Sequence, residues 1–229
     1  MKIIVFGLGN FGMSLALNLT ESGNEVIGVD KNMERINLIK DKISHSICLD
    51  STNEQAYQAL PIKQTDIAVV AIGENEGPAI ITTAIIKKLS SAQVISRSLS
   101  AIHDTVLQAM GIDFIVHPEQ EAAEKLTDKI NLKNIIDNFK IDDRYSISEI
   151  KTPRLFVGKT IEELEIRKNY HLNIITILRK KEKVNFLGNP ATPHLEVIGI
   201  PTGDTIIEKD TILVVFGLNK KIAEIVNMD

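Results

Sequence analysis

Short apolar runs alternate with amphipathic segments through the first half of the chain. Segments of helical length, near 11–22, 33–42, 53–60, 77–89 and 101–110, separate the runs. The runs are rich in Ile and Val and lie at 3–6, 25–29, 46–49, 67–72, 94–96 and 114–116. Because both faces of each short run are apolar, we expect strands buried between two layers of helices. The pattern predicts an α/β fold, a Rossmann-like doubly wound parallel sheet.

The alternation stops after the sixth strand. A crossover helix is predicted over 119–130, since Pro118 precedes it and acids fill its first turn. A second helical piece is predicted over "NLKNIIDNFKID". We therefore expect a Rossmann nucleotide-binding lobe over 1–118 and crossover helices, acting as a linker, over 119–143.

The pattern changes again near residue 145. The order predicted there is strand, helix, strand, turn, strand, a loop rich in Pro and Gly, strand, and a terminal helix. That order is typical of a smaller α+β C-terminal lobe, which we place at 144–229.

Composition excludes several classes of protein. A net charge of −4 argues against a nucleic-acid partner, because such binders need a cationic surface. Cys48 is the single cysteine, so neither an intramolecular disulfide nor a cysteine cluster can form, and Cys48 is expected to be a small buried residue of a strand.

The chain starts inside a strand pattern rather than a signal peptide. Direct membrane insertion is not expected, since no apolar run approaches about 18 residues.

The loop after the first strand, "GLGNFG", carries three glycines at the spacing of a dinucleotide-binding loop. In such loops Gly7 allows a sharp turn, Gly9 lets a pyrophosphate approach the backbone, and Gly12 lets the helix pack on the sheet. The helix that starts near Asn10 directs unpaired N–H groups at phosphates. Asp30 ends the second strand, where an acid accepts bonds from ribose hydroxyls and repels a 2′-phosphate; the alternative is a turn-forming Asp.

Two later strand ends meet the same edge of the predicted sheet. "CLDSTNE" places Asp50, Ser51 and Thr52 after the third strand, and "VVAIGENEG" places 71–75 after the fourth. Carboxyl ends of parallel strands form the ligand site of open sheets. Helix capping by Ser51, Thr52 or Asn53 is the alternative.

Four stretches resemble the RCK, or KTN, regulatory subunits of Trk/Ktr-type potassium uptake systems. They are "VFGLGNFGMSLALNLTESGNEVIGVDKN", "AIGENEGPAIITTAIIKKL", "ISRSLSAIHDTVLQAMGIDFIVHPE" and "PTGDTIIEKDTILVVFG", and the resemblance covers nearly the whole chain. It implies a cytosolic gating-ring subunit that controls a membrane potassium transporter or channel through ligand-dependent conformational change. It also implies homo-dimers that assemble into an octameric ring, peripheral to the inner face of the cell membrane.

The resemblance further implies ligands. NAD(H) or ATP/ADP would bind the N-terminal lobe, and cyclic di-AMP could bind the C-terminal lobe, for which we name no residues. Glu74 matches the adenine-side loop, Arg97 a basic position after the fifth strand, and Glu119 an acid implicated in divalent-cation binding between subunits. A solvated charge is the alternative for Arg97, and an acid that stabilises a helix start is the alternative for Glu119. Asn10 stands where some ATP-responsive members have Arg, which favours NAD(H) or AMP-like ligands.

The candidate cofactor-binding set has fifteen members, and Glu119 is the candidate metal ligand. The set is Gly7, Gly9, Asn10, Phe11, Gly12, Asp30, Lys31, Asp50, Ser51, Thr52, Ala71, Ile72, Gly73, Glu74 and Arg97. No catalytic residue is predicted. A small NAD-dependent oxidoreductase is the alternative function, although the five histidines form no paired motif. An assembly module, in which the nucleotide has only a structural role, is the third possible function.

Overall fold

A computed structural model of the chain describes residues 1–112, 114–131, 134–181 and 194–228. The chain comprises two compact units, Met1–Gln120 and Glu121–Asp229. None of the helices in the described ranges combines the length and apolarity needed to cross a bilayer. The division into lobes at 1–118 and 144–229 with a linker between them stays a prediction.

The first unit is built on a six-stranded parallel sheet in the order β3-β2-β1-β4-β5-β6. Its elements are β1 Lys2–Phe6, α1 Asn10–Glu21, β2 Glu25–Asp30, α2 Met33–Ile39, β3 His45–Cys48, β4 Ile67–Val70, α3 Glu76–Leu89, β5 Gln93–Arg97, α4 Ala101–Ala109 and β6 Phe114–Val116. The doubly wound sheet predicted from the sequence is confirmed.

Both faces of this sheet are buried, because successive side chains of a strand point to opposite faces. In β1, Ile4 and Phe6 join a core that includes residues of α3 and α4. Ile3 and Val5 join a second core with residues of α1 and α2. The continuous apolar runs in the sequence follow from this double burial.

The second unit contains a five-stranded antiparallel sheet in the order β10-β9-β11-β8-β7. The crossover helix α5, Pro118–Asn131, leads into it. The remaining elements are β7 Ile135–Lys140, β8 Tyr145–Lys151, α6 Ile161–Leu164, α7 Ile166–Tyr170, β9 Leu172–Lys181, β10 His194–Val197, β11 Ile212–Leu218 and α8 Asn219–Val226. Buried residues from β8, β9, β11 and α8 form its core.

Two predictions for this unit are wrong. The second helical piece, predicted over 131–142, contains strand β7, which pairs with β8 so that Phe139 lies opposite Ile147. The Pro- and Gly-rich loop includes β10, which pairs with β9. Pairing with a distant strand overrides local preference in both segments. The strand predicted after the turn falls within 182–193, outside the described residues.

Three local predictions also need correction. The helix predicted at 53–60 is a short 3-10 helix, Glu54–Ala59, and Pro61 follows its extended cap residue Leu60. The helix predicted in "TIEELEIRKNY" is split into α6 and α7 by Glu165, whose φ is 43°. Cys48 is exposed rather than buried, because β3 is the edge strand of its sheet.

Candidate functional site

The pocket of interest lies at the carboxyl edge of the parallel sheet. The strand order reverses between β1 and β4, and open α/β sheets bind ligands outside the strand ends at such a switch point. The pocket there has a volume of about 800 Å³, which is within the range of small-molecule sites. Fourteen predicted residues line it: Gly7, Gly9, Asn10, Phe11, Asp30, Lys31, Asp50, Thr52, Ala71, Ile72, Gly73, Glu74, Arg97 and Glu119.

The three glycines of the loop have different surroundings. Gly7 has φ +94°, and a Cβ there would lie 2.9 Å from the backbone nitrogen of Ile72. A Cβ on Gly12 would lie 1.9 Å from the carbonyl oxygen of Gly7, so the helix packs directly against the turn. A Cβ on Gly9 would meet no atom within 4 Å. Gly9 therefore leaves open space where the backbone lines the pocket, and Gly12 supports the loop without lining it.

Helix α1 begins at the pocket. Gly9 is its N-cap residue and supplies no side chain to bond the first N–H groups. The first turn of a helix has unpaired N–H donors and the positive end of the helix dipole. Because Gly9, Asn10 and Phe11 all line the pocket, these donors are available to an anionic ligand.

Asp30 lies at the end of β2 and is 5% exposed. Its Oδ2 accepts a hydrogen bond of 2.7 Å from the N–H of Leu8, and its Oδ1 accepts one of 2.8 Å from the N–H of Asn32. A carboxylate has about four acceptor positions, so two backbone bonds and a 3.4 Å contact from Arg35 leave capacity for a ribose hydroxyl. Asp30 also lines the pocket, which fits the role predicted for it.

Arg35 is a pocket residue that the sequence reasoning missed. Its Nη2 donates to Glu74 Oε1 at 2.5 Å, and its Nη1 lies 3.4 Å from Asp30 Oδ2. The Glu74 carboxylate raises the pKa of Arg35, and the same hydrogen bond lowers the pKa of Glu74. Side chains on a helix lean toward its N-terminus, so a base in the first turn of α2 was the available signal. The other missed lining residues are Leu8, Met13, Leu38 and Pro78, whereas Asn75 belongs to the stretch 71–75 that was predicted to meet this edge.

Arg97 lies at the end of β5, across the pocket from β2. Its guanidinium carbon is 5.8 Å from the centre of the Phe11 ring, and its Nη2 pairs with Glu119. A Cβ on Gly73 would lie 2.2 Å from Arg97 Nη1, so glycine at 73 makes room for the guanidinium. The Arg97 side chain is only 13% exposed, which disfavours the reading of a freely solvated charge.

The segment after β3 is divided between the pocket and the core. Asp50 accepts hydrogen bonds from the N–H and the hydroxyl of Thr52, which lower the pKa of the carboxyl group. Ser51 does not line the pocket, because its hydroxyl pairs with that of Thr82 at 2.8 Å and its carbonyl accepts from Tyr57. Capping of the following 3-10 helix is performed by Asn53.

Glu119 does not form a cation site by itself. Its carboxylate pairs with Arg97, and no group of three or more His, Cys, Asp or Glu suited to a metal occurs among the described residues. His117 pairs with Asp104 at 2.8 Å, a contact between separate elements that the sequence did not reveal.

Comparison with known proteins assigns the chain to a family. The model of the TrkA-N domain family matches residues 3–118. The Ktr system potassium uptake protein C of Bacillus subtilis (strain 168) is 33% identical over 216 residues, which cover 94% of this chain and 91% of the relative. The chain belongs to the TrkA-N domain family. The resemblance noted from its motifs is confirmed.

Two further comparisons cover nearly the whole chain. The Ktr system potassium uptake protein A of the same Bacillus strain is 29% identical over 226 residues, covering 99% of this chain and 96% of the relative. The crystal structure of the GsuK RCK domain matches 99% of this chain with a TM-score of 0.62 and 16% identity. This chain spans 47% of that solved chain. At this identity the structural match establishes the fold.

Proposed function

We propose that this chain is a nucleotide-binding regulatory subunit of a potassium uptake system and has no catalytic activity of its own. The observation that carries the proposal is the glycine loop at the sheet's switch point, with Asp30 beside it, in a chain similar over its length to two Ktr system proteins. Both halves of that observation are needed. The pocket indicates the class of ligand, and the relatives indicate the process that the ligand would regulate.

An adenine nucleotide with an unmodified ribose, NAD(H) above all, is the ligand that the pocket favours. Asp30 would accept bonds from the ribose hydroxyls, and the N–H groups at the start of α1 would bind the phosphates. Arg97, with Phe11 beneath its guanidinium, supplies a cation for the same phosphates. The GsuK channel bound to NAD is a solved structure with the same fold, at 15% identity and a TM-score of 0.61.

Regulation requires that the nucleotide bind one conformation of the assembly more tightly than another. The coupling to the pore can be no larger than that difference in binding free energy. A coupling of roughly 1 to 3 kcal/mol changes the ratio of open to closed states by about 5- to 150-fold. The partner in this proposal is a Trk/Ktr-type potassium-translocating membrane subunit, and the location is the cytoplasm at the inner face of the cell membrane. The assembly is a ring of eight copies built from dimers.

Two further ligands belong to the proposal. In the second unit a groove of about 460 Å³ is lined by the cations Arg167 and Lys168 and by the carboxylates Glu162 and Glu165. An effector such as cyclic di-AMP would bind there, with its phosphates toward the two cations. A divalent cation at Glu119 would need oxygen ligands beyond this carboxylate, because Arg97 already pairs with it. A ligand phosphate or a second copy of the chain would have to provide them.

An NAD-dependent oxidoreductase is the alternative, and the Asp104–His117 pair is the observation in its favour. The two residues border a cavity that adjoins the nucleotide pocket, because Arg97 lines both the cavity and the pocket. Neither lines the larger pocket itself, whose described lining contains no His or Tyr to act as a general acid. Steady oxidation of NADH with any added carbonyl substrate would support the enzyme. A nucleotide that never exchanges would support the structural role.

The first experiment is a thermal-unfolding panel with NAD⁺, NADH, NADPH, ATP, ADP and cyclic di-AMP. A ligand that binds only the native state raises stability by RT ln(1 + [L]/Kd). We expect a shift with NAD(H) or adenine nucleotides and none with NADPH. The ligand found is then added to liposomes that contain the potassium-translocating subunit and this chain. A potassium flux that ignores the ligand would refute the regulatory proposal.

A further inference from the structure

Arg35 is shared by two carboxylates that come from different strand ends. Glu74 follows β4 and Asp30 ends β2, and the guanidinium of Arg35 contacts both, at 2.5 Å and 3.4 Å. The Glu74 side chain is 65% exposed, whereas that of Asp30 is 4% exposed. The outer carboxylate therefore holds the guanidinium from the solvent side, directly beside the proposed ribose acid.

This arrangement combines two features that usually occur in different dinucleotide sites, those that bind a ribose with a free 2′-hydroxyl and those that bind a ribose with a 2′-phosphate. An acid at the end of the second strand accepts bonds from the 2′-hydroxyl, and a nearby Arg accommodates a 2′-phosphate. Here Asp30 and Arg35 are both present in one pocket. The acid alone does not account for selectivity, because an adjacent guanidinium offers several N–H donors suited to a phosphate.

Glu74 resolves this conflict. Its carboxylate accepts a charge-assisted hydrogen bond from Arg35, and such bonds are about twice as strong as neutral ones. A 2′-phosphate, with a charge of about −1.5 to −2, would have to displace Glu74 from Arg35 while lying close to two carboxylates. Repulsion between like charges opposes that exchange.

We propose that Glu74 is a specificity-determining residue, which excludes ligands with a 2′-phosphate by occupying the guanidinium of Arg35. The proposal rests on the proposed function, since it describes selectivity at the same nucleotide pocket. It predicts that neutralising Glu74 frees Arg35 for the phosphate while Asp30 continues to bind an unmodified ribose.

Calorimetric titration of NADH and NADPH tests the proposal, because the two ligands differ only by the 2′-phosphate. We expect wild-type protein to bind NADH more tightly than NADPH. Glu74→Gln should reduce the ratio of the two Kd values by about tenfold, the size of one hydrogen bond to a charged group. Adding Arg35→Gln to Glu74→Gln should restore the wild-type ratio. Glu74 is exposed, so the variant is expected to fold.

Glu34→Gln is the matched control. Glu34 precedes Arg35 in α2, is exposed and lies outside the pocket lining, so its neutralisation removes the same charge without freeing Arg35. A reduced ratio in Glu74→Gln with an unchanged ratio in Glu34→Gln supports the proposal. An unchanged ratio in Glu74→Gln, an equal change in Glu34→Gln, or a reduced ratio that persists in the double variant overturns it. Wild-type protein that binds neither ligand would overturn the proposed function as well.

Discussion

The N–H of Leu8 donates a 2.7 Å hydrogen bond to Oδ2 of Asp30, which joins the glycine loop after β1 to the end of β2. The other oxygen of Asp30 accepts from Asn32, whose side chain caps α2. Asp30 thus holds two loops in position in addition to the ligand role proposed for it. Loop geometry and the proposed ligand recognition therefore depend on the same carboxylate.

Asp30→Ala is expected to destabilise the protein even without a ligand. The substitution leaves the buried N–H of Leu8 without its acceptor, which costs about 1 to 3 kcal/mol. Urea denaturation would measure the free energy of unfolding, with Asp41→Ala at an exposed position as control. Equal stabilities of Asp30→Ala and wild type would show that the loop does not depend on this bond. Calorimetry should also show adenine-nucleotide affinity reduced by at least about 1 kcal/mol.

Gly9→Val and Gly12→Ala should separate ligand binding from folding. A side chain on Gly9 enters open space from an ordinary φ of −67°, so the free energy of unfolding should change by less than about 1 kcal/mol. Gly12→Ala should lower it by about 2 kcal/mol or more, because its Cβ overlaps the backbone oxygen of Gly7.

Gly9→Val, the more stable of the two variants, should be the one that loses more nucleotide affinity. Gly9→Val should weaken binding at least about tenfold, since its side chain occupies the approach to the backbone N–H groups. Calorimetry on the folded variant would measure this loss. Unaltered affinity in Gly9→Val would show that the phosphates do not bind at this loop.

Arg97→Gln is expected to weaken ligands with phosphates and to spare adenosine. The guanidinium is the cation placed over Phe11, and its loss removes a charge-assisted contact of roughly 1.5 to 3 kcal/mol. Titration of NADH and adenosine would give the two affinities. Equal losses for both ligands would indicate that Arg97 acts by shaping the pocket instead of by its charge.

Asp104→Asn should alter stability in a way that depends on pH. Hydrogen bonding from Ser98 and then from His117 lowers the pKa of Asp104 in the folded protein. A depressed pKa contributes stability that is present above the unfolded value of about 3.9 and is lost as the pH falls through the folded value. The difference in free energy of unfolding between wild type and Asp104→Asn should be below about 1 kcal/mol, because the pair is partly exposed. This difference should shrink below about pH 4. Urea denaturation from pH 6 to pH 3 would measure it, and a constant difference over that range would contradict the assignment.

Local pattern determined much of the first unit. The alternation of apolar runs with amphipathic segments requires strands buried on both faces, and the glycine spacing requires a tight turn into α1. Of the fifteen residues predicted to bind the cofactor, only Gly12 and Ser51 lie outside the pocket lining, and Glu119, predicted separately as a metal ligand, also lines it. These features depend on neighbours within a few residues or on the common edge of parallel strands.

Only the tertiary structure decided which partners the remaining residues find. Strand β7 exists because β8 offers it an edge, and Ser51 turns from the pocket because Thr82 binds its hydroxyl. The Arg35–Glu74 pair joins residues from α2 and the loop after β4. No local periodicity records such contacts, because each depends on distant segments meeting in space and on the free energy gained when polar groups there find partners.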